Sequence, residues 1–163
     1  MPTHLIVMGV SGCGKSSLSA ALAARWSFTF IEGDDLHPRS NVDKMSKGIP
    51  LDDTDRWPWL DDLGTVMRNQ APCIASCSAL KRAYRDRLRI AVGPRLRFVM
   101  LDLSRHALEA RLQERTGHYM PSSLLDSQLA TLERPKAIEA DVLVINANRP
   151  LATMVNLVAD HFS

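Results

Sequence analysis

Eight residues near the start of the chain, Gly9-Val10-Ser11-Gly12-Cys13-Gly14-Lys15-Ser16, constrain the fold more than any other stretch. They fill every fixed position of G-x-x-x-x-G-K-[S/T], the phosphate-binding loop. Glycines there let consecutive backbone N–H groups turn inward as a nest for phosphate oxygens. Lys15 is placed to reach the β- and γ-phosphates, and the Ser16 hydroxyl to ligate Mg2+. A helix starting at Lys15 aims its positive dipole end at the same anion. The flanks supply the context the motif needs. His4 to Met8 is an apolar run of strand length, and Leu18, Ala21 and Leu22 follow the loop at helical spacing. Strand, glycine loop and helix in that order imply a nucleoside triphosphate site, not a chance glycine-rich turn. The motif alone does not separate kinase, switch and motor.

Composition narrows the classes. At 163 residues the chain reads as a single domain, 1–163. A domain of that size buries roughly 68–70% of its unfolded surface. A net charge of +2 argues against a nucleic-acid or membrane surface, and no apolar run approaches the roughly 18 residues of a membrane span. The first strand begins so close to Met1 that no signal peptide is expected. Three cysteines, Cys13, Cys73 and Cys77, read as free thiols in a reducing cytosol, which makes the expected location cytoplasmic. Cys73 and Cys77 are expected in the core, and no Cys/His set has zinc spacing.

Taken in order, Phe28 to Ile31 reads as a second strand, running into Glu32-Gly33-Asp34-Asp35-Leu36-His37-Pro38. Two adjacent carboxylates at a strand's C-terminal end lie where open α/β sheets place ligands. Arg39 to Asp55 is polar, broken at Gly48-Ile49-Pro50. A helix is expected to start within Asp52 to Arg56, with Trp59, Leu60, Leu63, Val66 and Met67 along its apolar face. Cys73 to Ser78 is a third strand of small residues, followed by a basic helix. On that helix Arg87 and Arg89 read as solvated, whereas Lys81, Arg82 and Arg85 lie nearest the ligand-facing end. Arg97 to Leu101 is the fourth strand, and Ser104 is the N-cap of a helix carrying Arg111 and Arg115 on one face. Gly117 to Pro121 breaks that pattern before Ser122 to Leu132 resumes it. A helix–break–helix insert of about 113–124 with arginines at its stem fits a helical lid. Asp141 to Ile145 is the fifth strand, and Pro150 opens the last helix. Strands alternating with helices imply right-handed crossovers and a parallel, doubly wound sheet: an α/β fold.

Two classes of phosphate-loop protein compete. A GTP-type switch needs D-x-x-G at a strand end, but Asp61-Asp62-Leu63-Gly64 falls inside a helical pattern. No guanine-reading N-K-x-D is present. A small-molecule kinase needs acidic residues after the second strand, an acceptor pocket and a lid, and the chain has candidates for all three.

The resemblance is to a family. The phosphate loop is generic, but Gly33-Asp-Asp-Leu-His-Pro38, Asn41 with Lys44-Met45, Gly48-Ile-Pro-Leu51, Asp55-Arg-Trp-Pro-Trp-Leu60, Ser76-Cys-Ser-Ala-Leu-Lys-Arg82 with Tyr84-Arg85-Asp86, and Leu124-Leu-Asp-Ser-Gln128 with Thr131-Leu-Glu133 resemble the small gluconokinases. These motifs span most of the chain, in order. The resemblance implies a P-loop fold similar to shikimate and adenylate kinases, a three-layer sandwich with strand order 2-3-1-4-5. It implies transfer of the γ-phosphoryl of ATP, with Mg2+, to the 6-hydroxyl of D-gluconate by a homodimer. ATP would then lie on Gly9, Ser11, Gly12, Cys13, Gly14, Lys15, Ser16, Ser17 and Arg111, the last stacking on adenine. Cys13 departs from the family's usual small residue, with little effect expected because the backbone amide acts there. Lys15, Asp34 and Arg115 would be catalytic. Asp34 would orient or deprotonate the attacking hydroxyl, or act through a Mg2+-bound water, and Arg115 would swing in with the lid. For the carboxylate of gluconate, Arg56, Arg82 and Arg85 are alternatives. His37, Lys81 and Tyr84 are candidates for the polyol.

Overall fold

A computed structural model describes residues 2–114 and 122–163. Five parallel strands form one sheet in the order β2-β3-β1-β4-β5: β1 His4–Met8, β2 Thr29–Glu32, β3 Cys73–Ser76, β4 Leu96–Asp102 and β5 Val142–Asn146. The central strand β1 and its neighbour β3 are buried along their whole length, as strands covered on both faces must be. In register, Ile6 of β1 faces Ala75 of β3 on one side and Phe98 of β4 on the other.

The helices are α1 Lys15–Trp26, α2 Arg39–Ser46, α3 Asp53–Asn69, α4 Arg82–Val92, α5 Arg105–Glu114, α6 Ser122–Thr131 and α7 Leu151–His161. The connection from β1 to β2 steps across the sheet in one direction, and every later connection steps in the other. Right-handed crossovers therefore put α1 on one face and the helices between β2 and β5 on the opposite face. Packing agrees: α1 lies against α7, and α3 against α4. The expected three-layer α/β sandwich is thus the observed one. The direction reverses between β1 and β3, where open sheets part at their C-terminal ends to hold ligands.

Side-chain caps account for the starts of α3 and α5. Asp52 caps α3 by accepting the Asp55 N–H at 2.8 Å, while the Asp55 carboxylate accepts the Asp52 N–H at 3.0 Å. Ser104 Oγ accepts the Ala107 N–H at 3.2 Å at the start of α5, as expected of an N-cap. Gly64 lies in mid-α3, where a Cβ would come within 2.5 Å of Ala91 Cβ, so this glycine serves helix packing against α4. The formal D-x-x-G is therefore no switch motif.

One helix differs from expectation. The polar stretch after Pro38 forms α2, which the absence of an apolar stripe concealed; its one buried residue is Asn41. The proposed lid falls between α5 and α6, and its centre, with Arg115, lies outside the described residues.

Candidate active site

The phosphate loop connects β1 to α1 as expected. Gly14, at φ 99°, holds the left-handed turn from which α1 starts, a conformation that residues with a Cβ rarely adopt. Lys15 Nζ donates to the Val10 carbonyl at 3.1 Å, over its own loop. The loop is tied to β3 by the Gly9 N–H, which donates to the Ser78 carbonyl at 3.2 Å. Cys13 is wholly buried beneath it. Ser16 Oγ donates to Glu32 at 2.6 Å, and Glu32 also accepts the Ser76 hydroxyl. A hydroxyl and a carboxylate are the hard oxygen donors that suit Mg2+. Among the described residues no group of three His, Cys, Asp or Glu could hold a metal by itself. That is compatible with Mg2+, which takes one or two protein oxygens and completes its shell with phosphates and water.

Beside the loop, Asp34 follows β2 with its side chain 72% exposed. His37 stands behind it with only 3% of its side chain exposed, its Nε2 3.8 Å from Asp34 Oδ1. The imidazole stacks on Trp59 at 4.0 Å. Asn41 Nδ2 can only donate, so His37 Nδ1, 3.1 Å away, accepts and the ring proton sits on Nε2, facing Asp34. Burial lowers the His37 pKa below the usual 6.5, and Arg56 adds to that against the opposing pull of Asp34. The ring is so enclosed that almost none of it is open to a polyol.

A cationic corner lies next to these groups. Arg56 on α3, itself buried, donates to Tyr84 Oη at 2.9 Å. Because arginine only donates, the Tyr84 hydroxyl must pass its proton on, and it does so to Asp53. Lys81 Nζ donates to the same Asp53 carboxylate at 3.1 Å. Burial together with Asp53 pushes the Tyr84 pKa up to about 12, so it stays a donor. The buried Cys77 thiol, raised to about 12 chiefly by desolvation, feels the charges of Asp34, Lys15 and Arg56 together. The loop follows β1, Asp34 follows β2 and Lys81 precedes α4 after β3, at the C-terminal ends of three neighbouring strands.

The structure corrects one candidate for the acceptor's carboxylate. Arg85 is fully buried and its five N–H donors are occupied: by Glu139 at 2.7 and 2.8 Å, and by the carbonyls of Ala79, Leu80 and Glu133. Nothing remains for a substrate. Arg89, expected to be solvated, joins Arg85 by binding Glu139, Asp141 and Asp86. Arg82 is half exposed and lies 3.6 Å from Asp86. Arg111 bridges the loop carbonyl of Cys13 at 3.1 Å and that of Ala147 at 2.9 Å, which places it at the edge of the phosphate loop. Ser17, at the start of α1, is exposed.

Three polar groups at the site are not marked by the sequence pattern. Glu32 reads there only as the end of a strand, Asp53 only as part of a helix start, and Gln128 only as a letter within a motif. Gln128 accepts the Ser11 N–H at 2.8 Å and donates to Ser11 Oγ at 3.0 Å. A run of strand residues ending in a carboxylate is a signal that could flag Glu32. No local signal marks the other two.

Comparison with known proteins is consistent across sequence and structure. A family model described as an AAA domain matches residues 5–135. The thermosensitive gluconokinase of Escherichia coli (strain K12) is 47% identical over 154 residues, which cover 91% of this chain and 81% of that protein. The gluconokinase of Gluconobacter oxydans (strain 621H) is 47% identical over 165 residues, 99% of this chain and 92% of that one. The crystal structure of a gluconokinase from Sinorhizobium meliloti 1021 matches with a TM-score of 0.89 at 50% identity, covering 95% of this chain and 88% of its own. A shikimate kinase from Bacteroides thetaiotaomicron shares the fold, with a TM-score of 0.71 at 14% identity over 99% of each chain. With such identity over nearly its whole length, the chain belongs to the gluconokinase family of phosphate-loop kinases.

Proposed function

We infer that the protein transfers the γ-phosphoryl group of ATP to the 6-hydroxyl of D-gluconate, giving 6-phospho-D-gluconate and ADP. What supports this reading is the set of features at the C-terminal ends of three neighbouring strands: the phosphate loop after β1, Asp34 after β2 and, after β3, Lys81 and Tyr84, which share one hydrogen-bonded corner with Arg56 and Asp53. Phosphoryl transfer asks a protein mainly for positioning and charge stabilisation. Loop amides and Lys15 hold the phosphates. Ser16, with Glu32 beside it, would hold Mg2+, which would supply charge neutralisation on those phosphates. Asp34 orients the attacking hydroxyl and accepts its proton. Arg115 completes the set as the lid arginine, and Arg111 flanks the adenine.

Of the alternatives for the acceptor's carboxylate, Arg56 is the one this reading selects. It is buried, and among the described residues it makes a single hydrogen bond, to Tyr84. The rest of its fork is available for a bidentate carboxylate. An acceptor without a carboxylate would leave that guanidinium unpaired, which disfavours plain sugars. The same reading has the enzyme act as a homodimer in the cytosol, where its three unpaired, buried thiols stay reduced.

The test is ATP consumption with D-gluconate, shikimate, glucose, AMP or buffer alone. Gluconate is expected to give the highest kcat/KM by far. Activity with AMP, or equal activity without acceptor, would overturn the assignment.

A further inference from the structure

We propose that Asp53 is a specificity-determining residue that accepts a hydrogen bond from the acceptor hydroxyl next to the carboxylate. The inference rests on the reading of Arg56 as the carboxylate's partner, and it names what lies beside that partner.

Asp53 is not needed where it stands for the helix. Asp52 is the N-cap of α3 and closes the capping box with Asp55, so Asp53 is left over from that structure. Its carboxylate instead faces the α4 side, where it accepts from Tyr84 Oη and from Lys81 Nζ at 3.1 Å. The side chain is still 46% exposed. An ionised carboxylate offers about four lone-pair sites. Two are used, and the open side of the group keeps acceptor capacity. The Tyr84 and Lys81 contacts also lower the Asp53 pKa, which favours the ionised form.

Charge decides what can lie against it. Arg56 and Lys81 contribute two positive charges and Asp53 removes one, leaving a corner matched to a single negative charge. A second carboxylate packed against Asp53 would be repelled, so the acid group goes to the Arg56 fork. The next atom of a sugar acid bears a hydroxyl. Tyr84 links Arg56 to Asp53 through one oxygen, so the two groups are a tyrosine hydroxyl apart. A ligand whose carboxylate meets Arg56 therefore brings its neighbouring hydroxyl towards Asp53. That group is a donor, and Asp53 can only accept. An α-hydroxy acid fits both halves of the corner; an acid lacking that hydroxyl leaves Asp53 without a partner on its open side.

The experiment compares kcat/KM for D-gluconate and 2-deoxy-D-gluconate in the wild type, Asp53→Ala and Asp53→Asn. Both variants change a half-exposed side chain outside the capping box, and their melting temperatures check that they fold. The wild type is expected to prefer D-gluconate by about 10- to 100-fold, the range of a hydrogen bond to a charged group. In Asp53→Ala the preference should collapse towards unity, the loss with D-gluconate exceeding the loss with the 2-deoxy acid. Asp53→Asn, which keeps one acceptor oxygen, should fall between. If both acids lose activity by the same factor, Asp53 merely holds Lys81 and Tyr84 in place and the proposal fails. A preference left intact by Asp53→Ala overturns it equally. A wild type inactive on D-gluconate overturns the acceptor reading and this proposal with it, an outcome distinct from either failure of Asp53 alone.

Discussion

Gln128 clamps Ser11 at two points, accepting its backbone N–H at 2.8 Å and donating to its hydroxyl at 3.0 Å, across 117 residues of sequence. The contact joins α6, the helix that follows the proposed lid, to the tip of the phosphate loop. A loop that must present its amides in a fixed curve loses rate when its geometry loosens. Gln128→Ala removes two hydrogen bonds, each contributing about 0.5–1.5 kcal/mol. The expected result is a fall of roughly 5- to 100-fold in kcat/KM for ATP with little change in melting temperature, since Gln128 is only half-buried. Unchanged ATP kinetics would show that the clamp has no bearing on the loop's function.

Asp34 is the exposed acid beside the loop, and His37 holds an N–H towards it. Asp34→Asn keeps the shape and removes the proton acceptor. Turnover should fall by about 10²- to 10⁴-fold, the usual contribution of a general base, while ATP still binds in a calorimetric titration. Near wild-type turnover would show that another group receives the proton.

The Arg85–Glu139 pair is a structural matter. Burial alone would raise the Glu139 pKa, but hydrogen bonds and charge from Arg85 and Arg89 bring it down to about 2. Glu139→Ala strands a wholly buried guanidinium, a change that costs about 3–5 kcal/mol. For a chain of this size that lowers the melting temperature by roughly 6–20 °C. KM for gluconate in the surviving folded enzyme should stay within about twofold of wild type, as expected of a residue that does not touch substrate. A large rise in KM at unchanged melting temperature would return Arg85 to the acceptor site.

Stability should depend on pH in two steps. His4 and His37 are both held below the usual 6.5, mainly by burial, so the unfolded chain binds protons that the folded one refuses. Their contribution is complete above pH 6.5 and is lost as the pH falls through that value. Glu139 behaves as a depressed carboxyl: its contribution is complete above 4.5 and fades as the pH falls towards 2. Melting curves should show a plateau near neutrality, a first decline below pH 6.5 that a His4→Gln/His37→Gln double variant flattens, and a second below 4.5. A constant melting temperature from about pH 7 to 5 would contradict the lowered histidines.

The order of elements is legible in the amino-acid sequence because it rests on local patterns. The apolar run His4–Met8, the glycines up to Lys15, the cap at Ser104 and the proline ahead of the last helix each act within a few residues of themselves. Strand ends differ from the pattern by a residue or two, as with β2, expected from Phe28 and found at Thr29–Glu32. The one helix that the pattern does not reveal, α2, has no apolar stripe; it is held by Asn41, which donates to His37 and to the Asp55 carbonyl at 2.9 Å.

Arg85 shows where such reading stops. On its helix it sits with Lys81 and Arg82 nearest the ligand-facing end, and by position alone it reads as a partner for the acceptor, not as a core residue. Its burial is possible only because Glu139, 54 residues later, meets it with a compensating carboxylate. Asp53 with Tyr84, 31 residues apart, and Gln128 with Ser11 are pairings of the same kind. The sequence by itself determined the phosphate loop, the parallel α/β layering and the residue types of the site, since backbone geometry and hydrophobic periodicity are short-range properties. The tertiary structure alone decided which arginine is locked in the core and which carboxylate is shared by Tyr84 and Lys81, because a charge's role is set by the partners and the solvent that folding leaves around it.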